Sequence, residues 1–384
     1  MMVKEVTRHE LEKEIFSGEL GQLDFYAYCN TPWHAIGIQS FVNSLSRKGR
    51  DLRGIVFLAN QPGRKNLVNP EDFNFNENVT VLYFKNIDAF RRDKIRYLKK
   101  LIFSRKSADT RSENEFYMLR PFRADYQFGA EYQIETGKKC TLICLEEGVG
   151  TYKTNLEIFR EKKKGSLRSG FSYALSCLFY SFLRKSYRLI TEDFTLLRKN
   201  GNQLSINEYN AKLYLDTIQE AVKREKCISD IDSSKKFIII LTQPFEIKQD
   251  VTCKNQINLA FDSIKDYFSD RGMNVYIKPH PREDQETVNG YKKRGYNVLQ
   301  SNKPIEIYLE MLPNKPVAVI GTVSTALVTA NVLNKVTAIS IVDLIEGELD
   351  KDYVETAEKF KKRYCEFVIF PSLMDNRFWE TVYM

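Results

Sequence analysis

Three stretches of this chain place side chains that can move or hold charge just where a strand would give way to a turn. The first is Leu142–Tyr152 (LICLEEGVGTY), an apolar run that ends in Glu146 and Glu147, followed by Gly148 and Gly150. A carboxylate at the carboxyl end of a strand is well placed to take a proton as a general base. Adjacent strand residues point to opposite faces, so at most one of the two faces a given cleft. The glycines allow positive φ and close backbone approach to a ligand. The second stretch is Asn274–Arg282 (NVYIKPHPR), which runs into Lys278, Pro279, His280 and Pro281. Flanking prolines stiffen the backbone around the imidazole, and Lys278 and Arg282 add positive charge. A protonated imidazole there would bind a phosphate or protonate a leaving oxygen. The third is Val317–Leu327 (VAVIGTVSTAL), in which Gly321 is followed by Thr322, Ser324 and Thr325 opening a helix. Ser or Thr at that point caps the helix, and the exposed amides and dipole make an anion site. Each stretch also has a plain structural reading: a solvated strand end, a turn histidine and a helix cap.

A fourth junction, Asn30–His34 (NTPWH), follows a strand and opens a helix with Pro32 in its first turn. Thr31 suits the cap, Asn30 stands beside it, and Trp33 reads as core or as a platform for a sugar ring. Two D-x-D triplets, Asp230–Asp232 and Asp350–Asp352, end no strand and read as solvated loop charge rather than a metal site. In order along the chain, the strand-end motifs put a base in the first half and an anion site in the second. Transfer of a group from a nucleotide donor needs that division: one part activates the acceptor hydroxyl, the other takes up the charge of the leaving phosphate.

Positioning such motifs requires strands whose ends gather. Short apolar runs occur at Leu23–Cys29, Gly54–Leu58, Val79–Phe84, Thr141–Leu145, Phe237–Thr242, Asn274–Ile277, Val317–Gly321 and Thr337–Ile341. Continuous apolar runs fit parallel strands buried on both faces. Helical spacing lies between them at Trp33–Leu45, Glu208–Val222, Gln256–Phe268, Ile305–Met311 and Thr325–Leu333. The alternation predicts an α/β fold, with ligands beyond the carboxyl strand ends. The strands fall into two clusters separated by the polar Cys227–Lys236 (CISDIDSSKK). The expectation is two domains facing a cleft, residues 1–226 and 237–384, joined by a linker at 227–236.

The chain's 384 residues are 43% hydrophobic and 28% charged, values that argue against disorder or fibrous repeats. Its 58 basic and 50 acidic residues leave a net +8, which suggests an anionic partner without naming it. No nucleic-acid motif stands out. Seven scattered cysteines without a C-x-x-C read as buried thiols in a reducing compartment, and the three histidines lie far from the closest cysteine pair. The charged opening residues carry no apolar signal core, and no apolar run reaches the ~18 residues of a membrane span. We therefore expect a cytoplasmic protein. Arg160–Ile190 sets an apolar, aromatic stretch between lysines and arginines. It reads as a basic amphipathic helix on the inner face of an anionic membrane, or as a helix packed against its domain.

Glu146-Glu147-Gly148, His280-Pro281 and Ser324-Thr325 follow the order of the acid-acid-Gly, His-Pro and Ser-Ser/Thr motifs of bacterial CMP-sialic acid sialyltransferases. NTPWH also resembles the opening of glycosyltransferase family 52 and of the capsular polysialyltransferases. The resemblance covers about residues 25 to 330. It implies a GT-B fold of two Rossmann-like domains facing a central cleft, the first binding acceptor and the second CMP. It further implies inverting transfer of sialic acid from CMP-sialic acid to a glycan hydroxyl, with no metal or other cofactor. Glu147 would be the base, with Glu146 orienting it or binding acceptor beside Gly148, Asn30 and Thr31. His280 would contact and protonate the leaving phosphate. Ser324, Thr325, Thr322 and Gly321 would hold that phosphate, with Pro281 and Lys278 beside them. Some members hold the ribose with an acid shortly after the Ser/Thr pair; here that stretch is AlaLeuValThrAlaAsn, so Gln243 in Thr242–Glu246 (TQPFE) is the candidate. Terminal galactose of a capsular or lipooligosaccharide glycan is the first expected acceptor, a growing polysialic acid chain the second. A CDP-glycerol-type glycerophosphotransferase is the runner-up enzyme, though it usually relies on a second histidine motif where this chain has an acid pair.

Overall fold

The computed structural model describes residues 5–6, 8–58, 68, 78–84, 115–121, 124–200, 203–223, 231–232, 234–243, 251–301, 303–345 and 350–371. The chain divides into two units, Met1–Leu196 and Leu197–Met384.

The first unit is built on strands that are apolar along their whole length. Its elements are β1 (Glu5–Val6), α1 (Arg8–Ser17), β2 (Phe25–Cys29), α2 (Pro32–Ser46), β3 (Gly54–Leu58), β4 (Val79–Phe84), β5 (Phe116–Pro121), α3 (Tyr126–Thr136), β6 (Cys140–Leu145), α4 (Asn155–Gly165), α5 (Leu167–Ser186) and β7 (Ile190–Phe194). The seven strands form one parallel sheet in the order β1-β4-β3-β2-β5-β6-β7. Counted from β2, six of them run 3-2-1-4-5-6, the Rossmann order, with the switch point between β2 and β5. Phe128 of α3 anchors the core. It is fully buried, with the rings of Phe16 and Tyr26 at 5.3 Å and those of Phe116 and Tyr132 at 6.1 Å.

In the second unit an antiparallel pair, β8 (Leu197–Asn200) and β9 (Gln203–Ile206), precedes α6 (Glu208–Val222). Then come β10 (Phe237–Leu241), α7 (Val251–Ser269), β11 (Asn274–Lys278), α8 (Gln285–Lys293), β12 (Asn297–Val298), α9 (Ile305–Met311), β13 (Ala318–Gly321), α10 (Thr325–Asn334), β14 (Thr337–Ser340) and α11 (Lys351–Tyr364). The sheet order β12-β11-β10-β13-β14 is again 3-2-1-4-5 from its first strand, all parallel, with the switch point between β10 and β13. Two Rossmann-like units make this the GT-B class of α/β fold.

All eight expected strands are present to within a residue or two, and the spaced helices with them. The sequence reading passes over the strands β1, β5, β7, β8, β9 and β12 and the helices α3, α8 and α11. β5 carries Arg120 within an otherwise apolar run, and β7 (ITEDF) is the polar edge strand of its sheet. The division at Leu196–Leu197 lies well before the 227–236 segment, because α6 packs on α9 and α10 and so belongs to the second unit. Of that segment, residues 227–230 and 233 lie outside the described ones. Asp350 caps α11, accepting from the amides of Asp352 (2.9 Å) and Tyr353 (3.1 Å), and Asp232 accepts from the amide and hydroxyl of Ser234. Asp230 lies outside the described residues. Among those residues no helix is long and apolar enough to cross a membrane.

Truncating Phe128 removes the ring on which four others converge. Phe128→Ala is expected to lower the unfolding free energy by about 3–5 kcal/mol, read as a lower urea midpoint for the full chain; a shift near zero would contradict this account of the core.

Candidate active site

The acid pair splits as the strand ends. Glu146 turns inward and is 1% exposed, while Glu147 stays exposed. The Glu146 carboxylate accepts from the Gly148 amide at 2.7 Å, the Leu196 amide at 3.1 Å and the Tyr152 hydroxyl. Burial pushes its pKa up to about 7 against the pull of these donors. The Glu147 amide donates to Thr151 Oγ1 at 2.8 Å, which closes the loop into a 3-10 turn over Val149–Tyr152. Gly148 has φ +109°, a conformation that a side chain would strain. The Glu147 carboxyl is raised by partial desolvation at the loop wall and held back by the charge of Arg120. Arg120, at the end of β5, pairs with Asp125 at 3.0 Å.

At the switch point of the same sheet, Thr31 caps α2, its side chain accepting from the His34 amide at 3.2 Å, and Pro32 occupies the first turn. Asn30 Oδ1 and His34 Nδ1 are buried and make no hydrogen bond. Burial drives the His34 pKa down to about 3, so its ring is neutral. Trp33 is half-buried beside them.

In the second unit β11 ends in a tight turn. The Glu283 amide donates to the His280 carbonyl at 2.9 Å with Pro281 between them, the position a turn proline favours. Glu283 fixes this turn from inside. Its carboxylate accepts from the His280 amide at 2.8 Å, from the Tyr291 hydroxyl at 2.8 Å and from the Thr242 hydroxyl. Burial raises its pKa, and these donors oppose the rise. His280 itself departs from expectation. Burial first, then the charges of Arg282 and Lys278, lower its pKa to about 4, so the ring is neutral at pH 7 and not a ready acid. Its Nδ1 accepts from the Arg282 amide at 3.1 Å, which leaves the proton on Nε2.

Lys278 also departs from the sequence reading, which took it as a basic neighbour for the anion. It is 5% exposed, its Nζ donates to the Ser301 carbonyl at 3.0 Å, and burial lowers its pKa to about 8 against the opposing charge of Glu306. Across the switch point, a Cβ on Gly321 would meet the Leu241 carbonyl at 3.2 Å, so the close strand approach suits glycine. Thr322 is buried, and its carbonyl accepts from Ser340 at 2.8 Å. Ser324 caps α10 by accepting from the Ala326 amide at 3.2 Å, with Thr325 as the first helical residue. Gln243, after β10, donates through Nε2 to the Val323 carbonyl and ties the two loops together. Thus Thr242, Gln243, His280, Ser324 and Thr325 gather at the carboxyl ends of β10, β11 and β13, whereas Lys278 and Thr322 turn away from solvent. The remainder of TQPFE lies outside the described residues.

The family model described as Alpha-2,8-polysialyltransferase (POLYST) matches residues 26–343. The chain belongs to the alpha-2,8-polysialyltransferase family. It is therefore a glycosyltransferase of the sialyltransferase group, and every site residue above falls within the matched span. No curated protein matches this chain. Among solved structures, it is similar to the α/β-galactoside α-2,3-sialyltransferase of Photobacterium phosphoreum (12% identity, 90% of this chain and 97% of that one, TM-score 0.44). It is similar also to a Photobacterium sp. 2,6-sialyltransferase in complex with CMP and lactose (13%, 90% and 78%, 0.45). The UDP-GlcNAc 2-epimerase of Methanocaldococcus jannaschii is comparable (12%, 94% and 91%, 0.45). The family assignment does not rest on these likenesses.

Sequence reasoning about this polysialyltransferase-family chain missed Arg120, Tyr152 and Glu283. Glu283 stands three residues past His280, a spacing that a tight turn brings back on itself, so its role was open to a turn argument. Arg120 and Tyr152 give no such signal, because their roles come from strand pairing and loop closure.

Glu146 generates a pH signature. In the fold it binds its proton up to about pH 7, whereas the unfolded chain releases it near the ordinary 4.5. The folded state thus holds more protons between these values, and stability falls as pH rises through that window. The loss from this group is of order 3 kcal/mol. Glu146→Gln is expected to flatten that part of the stability profile; an unchanged wild-type slope in the variant would sink the assignment.

Proposed function

We propose that this chain is an inverting sialyltransferase that moves sialic acid from CMP-sialic acid to a glycan hydroxyl, the first unit binding acceptor and the second binding CMP. Within the family, the observation that carries the reading is the separation of the two acids. Glu146 is committed to internal donors, and Glu147 is the carboxylate left exposed at the strand end. Glu147 takes the proton of the acceptor hydroxyl, whose oxygen attacks the anomeric carbon of the donor. The bond from that carbon to the phosphate oxygen breaks, and CMP departs with the electron pair. His280 serves as a neutral Nε2–H donor to the phosphate. The phosphate's own charge raises the imidazole pKa on binding, which favours protonation as CMP leaves. The α10 N-terminus with Ser324 and Thr325 supplies further donors. These groups supply what a divalent ion would otherwise provide, so the proposed reaction needs no metal.

The family description favours sialic acid in α-2,8 linkage as acceptor over terminal galactose, the first expectation from sequence. The basic surplus of the chain suits a polyanionic acceptor. Asn30 Oδ1, buried without a donor beside Thr31 and Trp33, offers an acceptor for a sugar hydroxyl. Placement at the cytoplasmic side follows from the thiols and the nucleotide donor, and the capsular role from the acceptor.

CMP release from CMP-sialic acid in EDTA, stimulated by an α-2,8-linked sialic acid oligomer and not by lactose, is the expected result. Stimulation by lactose alone would return the acceptor to galactose, and failure to bind CMP would overturn the donor assignment. Glu147→Gln should slow transfer about 10²–10⁴-fold with CMP affinity nearly unchanged, while His280→Ala weakens both. Equal loss of CMP binding in the two variants would contradict the division of roles.

A further inference from the structure

We propose that the outward face of α5 is a docking surface for an anionic phospholipid bilayer. Leu167, Phe171, Leu175, Leu178 and Phe182 are exposed by 73%, 67%, 50%, 69% and 51%. At 3.6 residues per turn these five fall within an arc of about 80° running the length of the helix. The other side of α5 is committed to the domain. Gly170 and Leu183 are buried, and Phe179 and Tyr180 pack on the core around Phe128. The helix therefore has two apolar faces, and among the described residues only one of them is covered. An unbroken apolar stripe of this length is not the scattered exposure of an ordinary surface.

Charge identifies the occupant. α4 lies against α5, where a Cβ on Gly170 would come within 3.0 Å of Lys163 Cβ. That contact brings the exposed Lys162, Lys163 and Lys164 to the same end of the helix pair as Leu167 and Arg168. The acids of α4 are engaged locally: Glu161 with Lys153 at 2.8 Å, and Glu157 in the capping box of Thr154. At the far end of the stripe stand the exposed Arg184 and Lys185. The apolar face is thus bracketed by cations at both ends. A second copy packed on it in either direction would set like charges against each other. Lipid phosphates neutralise both clusters while the stripe enters the acyl boundary. The helix would lie on the bilayer rather than cross it.

The test is sedimentation of the full chain with vesicles of phosphatidylcholine containing phosphatidylglycerol, against phosphatidylcholine alone. Binding to the anionic vesicles alone, weakened by salt, is expected. Phe171→Glu with Leu178→Glu should lower partitioning about tenfold or more. Replacing Lys162, Lys163 and Lys164 by Glu should abolish the preference for anionic lipid. Thermal melting and transfer to a soluble acceptor should stay as in the wild type, since none of these residues belongs to the candidate active site. Sedimentation unaffected by the Phe171/Leu178 pair would overturn the proposal. So would a dimer in light scattering that Phe171→Glu disperses. The proposal stands or falls apart from the transferase reading, which the soluble-acceptor assay tests separately.

Discussion

Glu146 and Glu283 each lose most of their hydration, and a desolvated carboxylate is tolerated only where donors replace the lost water. Both have found at least three, and in both cases these include a main-chain amide of the loop that carries the adjacent motif. The consequence is geometric. With the Gly148 and Leu196 amides and the Tyr152 hydroxyl all drawn to one point, the end of β6 has little freedom in where it presents Glu147. With Thr242, Tyr291 and the His280 amide drawn to Glu283, the end of β11 has as little freedom in presenting the imidazole. Each unit thus uses one buried carboxylate to position the loop that presents its neighbour in the motif.

The sheet order explains why those loops matter. In both units the strands run 3-2-1-4-5 from the first Rossmann strand, so the connections of the two halves lie on opposite faces and part at the switch point. In the second unit the parting brings the loops after β10 and β13 side by side, and Gln243 bonds to the Val323 carbonyl across that point. In the first unit the corresponding place is the junction of β2 with α2, where Asn30 and His34 hold unpaired buried atoms. A polar atom left unpaired under a Rossmann switch point is a cost that the packing does not require, and a hydroxyl-bearing ligand would relieve it.

Much of this was legible in sequence, for a physical reason. Strands buried on both faces must be apolar throughout, so FIIIL, GIVFL and CTLICL announce themselves, and the punctuation after them locates the loops. The failures share a cause as well. β7 lies at a sheet edge and keeps a polar sequence, β5 carries an arginine, and α6 crosses to the second unit through contacts with α9 and α10 that local composition does not record. For the site, residue types and order nominated Glu147, His280 and Ser324, and the structure places each just beyond the carboxyl end of a strand. Burial was not legible: Lys278 reads as a solvated cation until the Ser301 carbonyl and Glu306 are seen beside it. Arg160–Ile190 offered two readings in sequence, and α5 has the inner face that one of them required.

The neutral imidazole alters how the second unit can hold an anion. A cation fixed at the β11 turn would bind phosphate strongly before and after transfer and would retard release of the product. With Lys278 withdrawn into the core and His280 uncharged in the free protein, the proposed anion site would rely on oriented N–H dipoles at the α10 terminus and the Nε2–H. Dipoles of this kind need no reorganisation as charge moves onto the departing oxygen. The low imidazole pKa also makes the protonation state of His280 responsive to the charge beside it. In the proposed reaction the ring, neutral while empty, would gain affinity for a proton as the leaving phosphate gains charge, so the step that requires an acid would be the step that creates one.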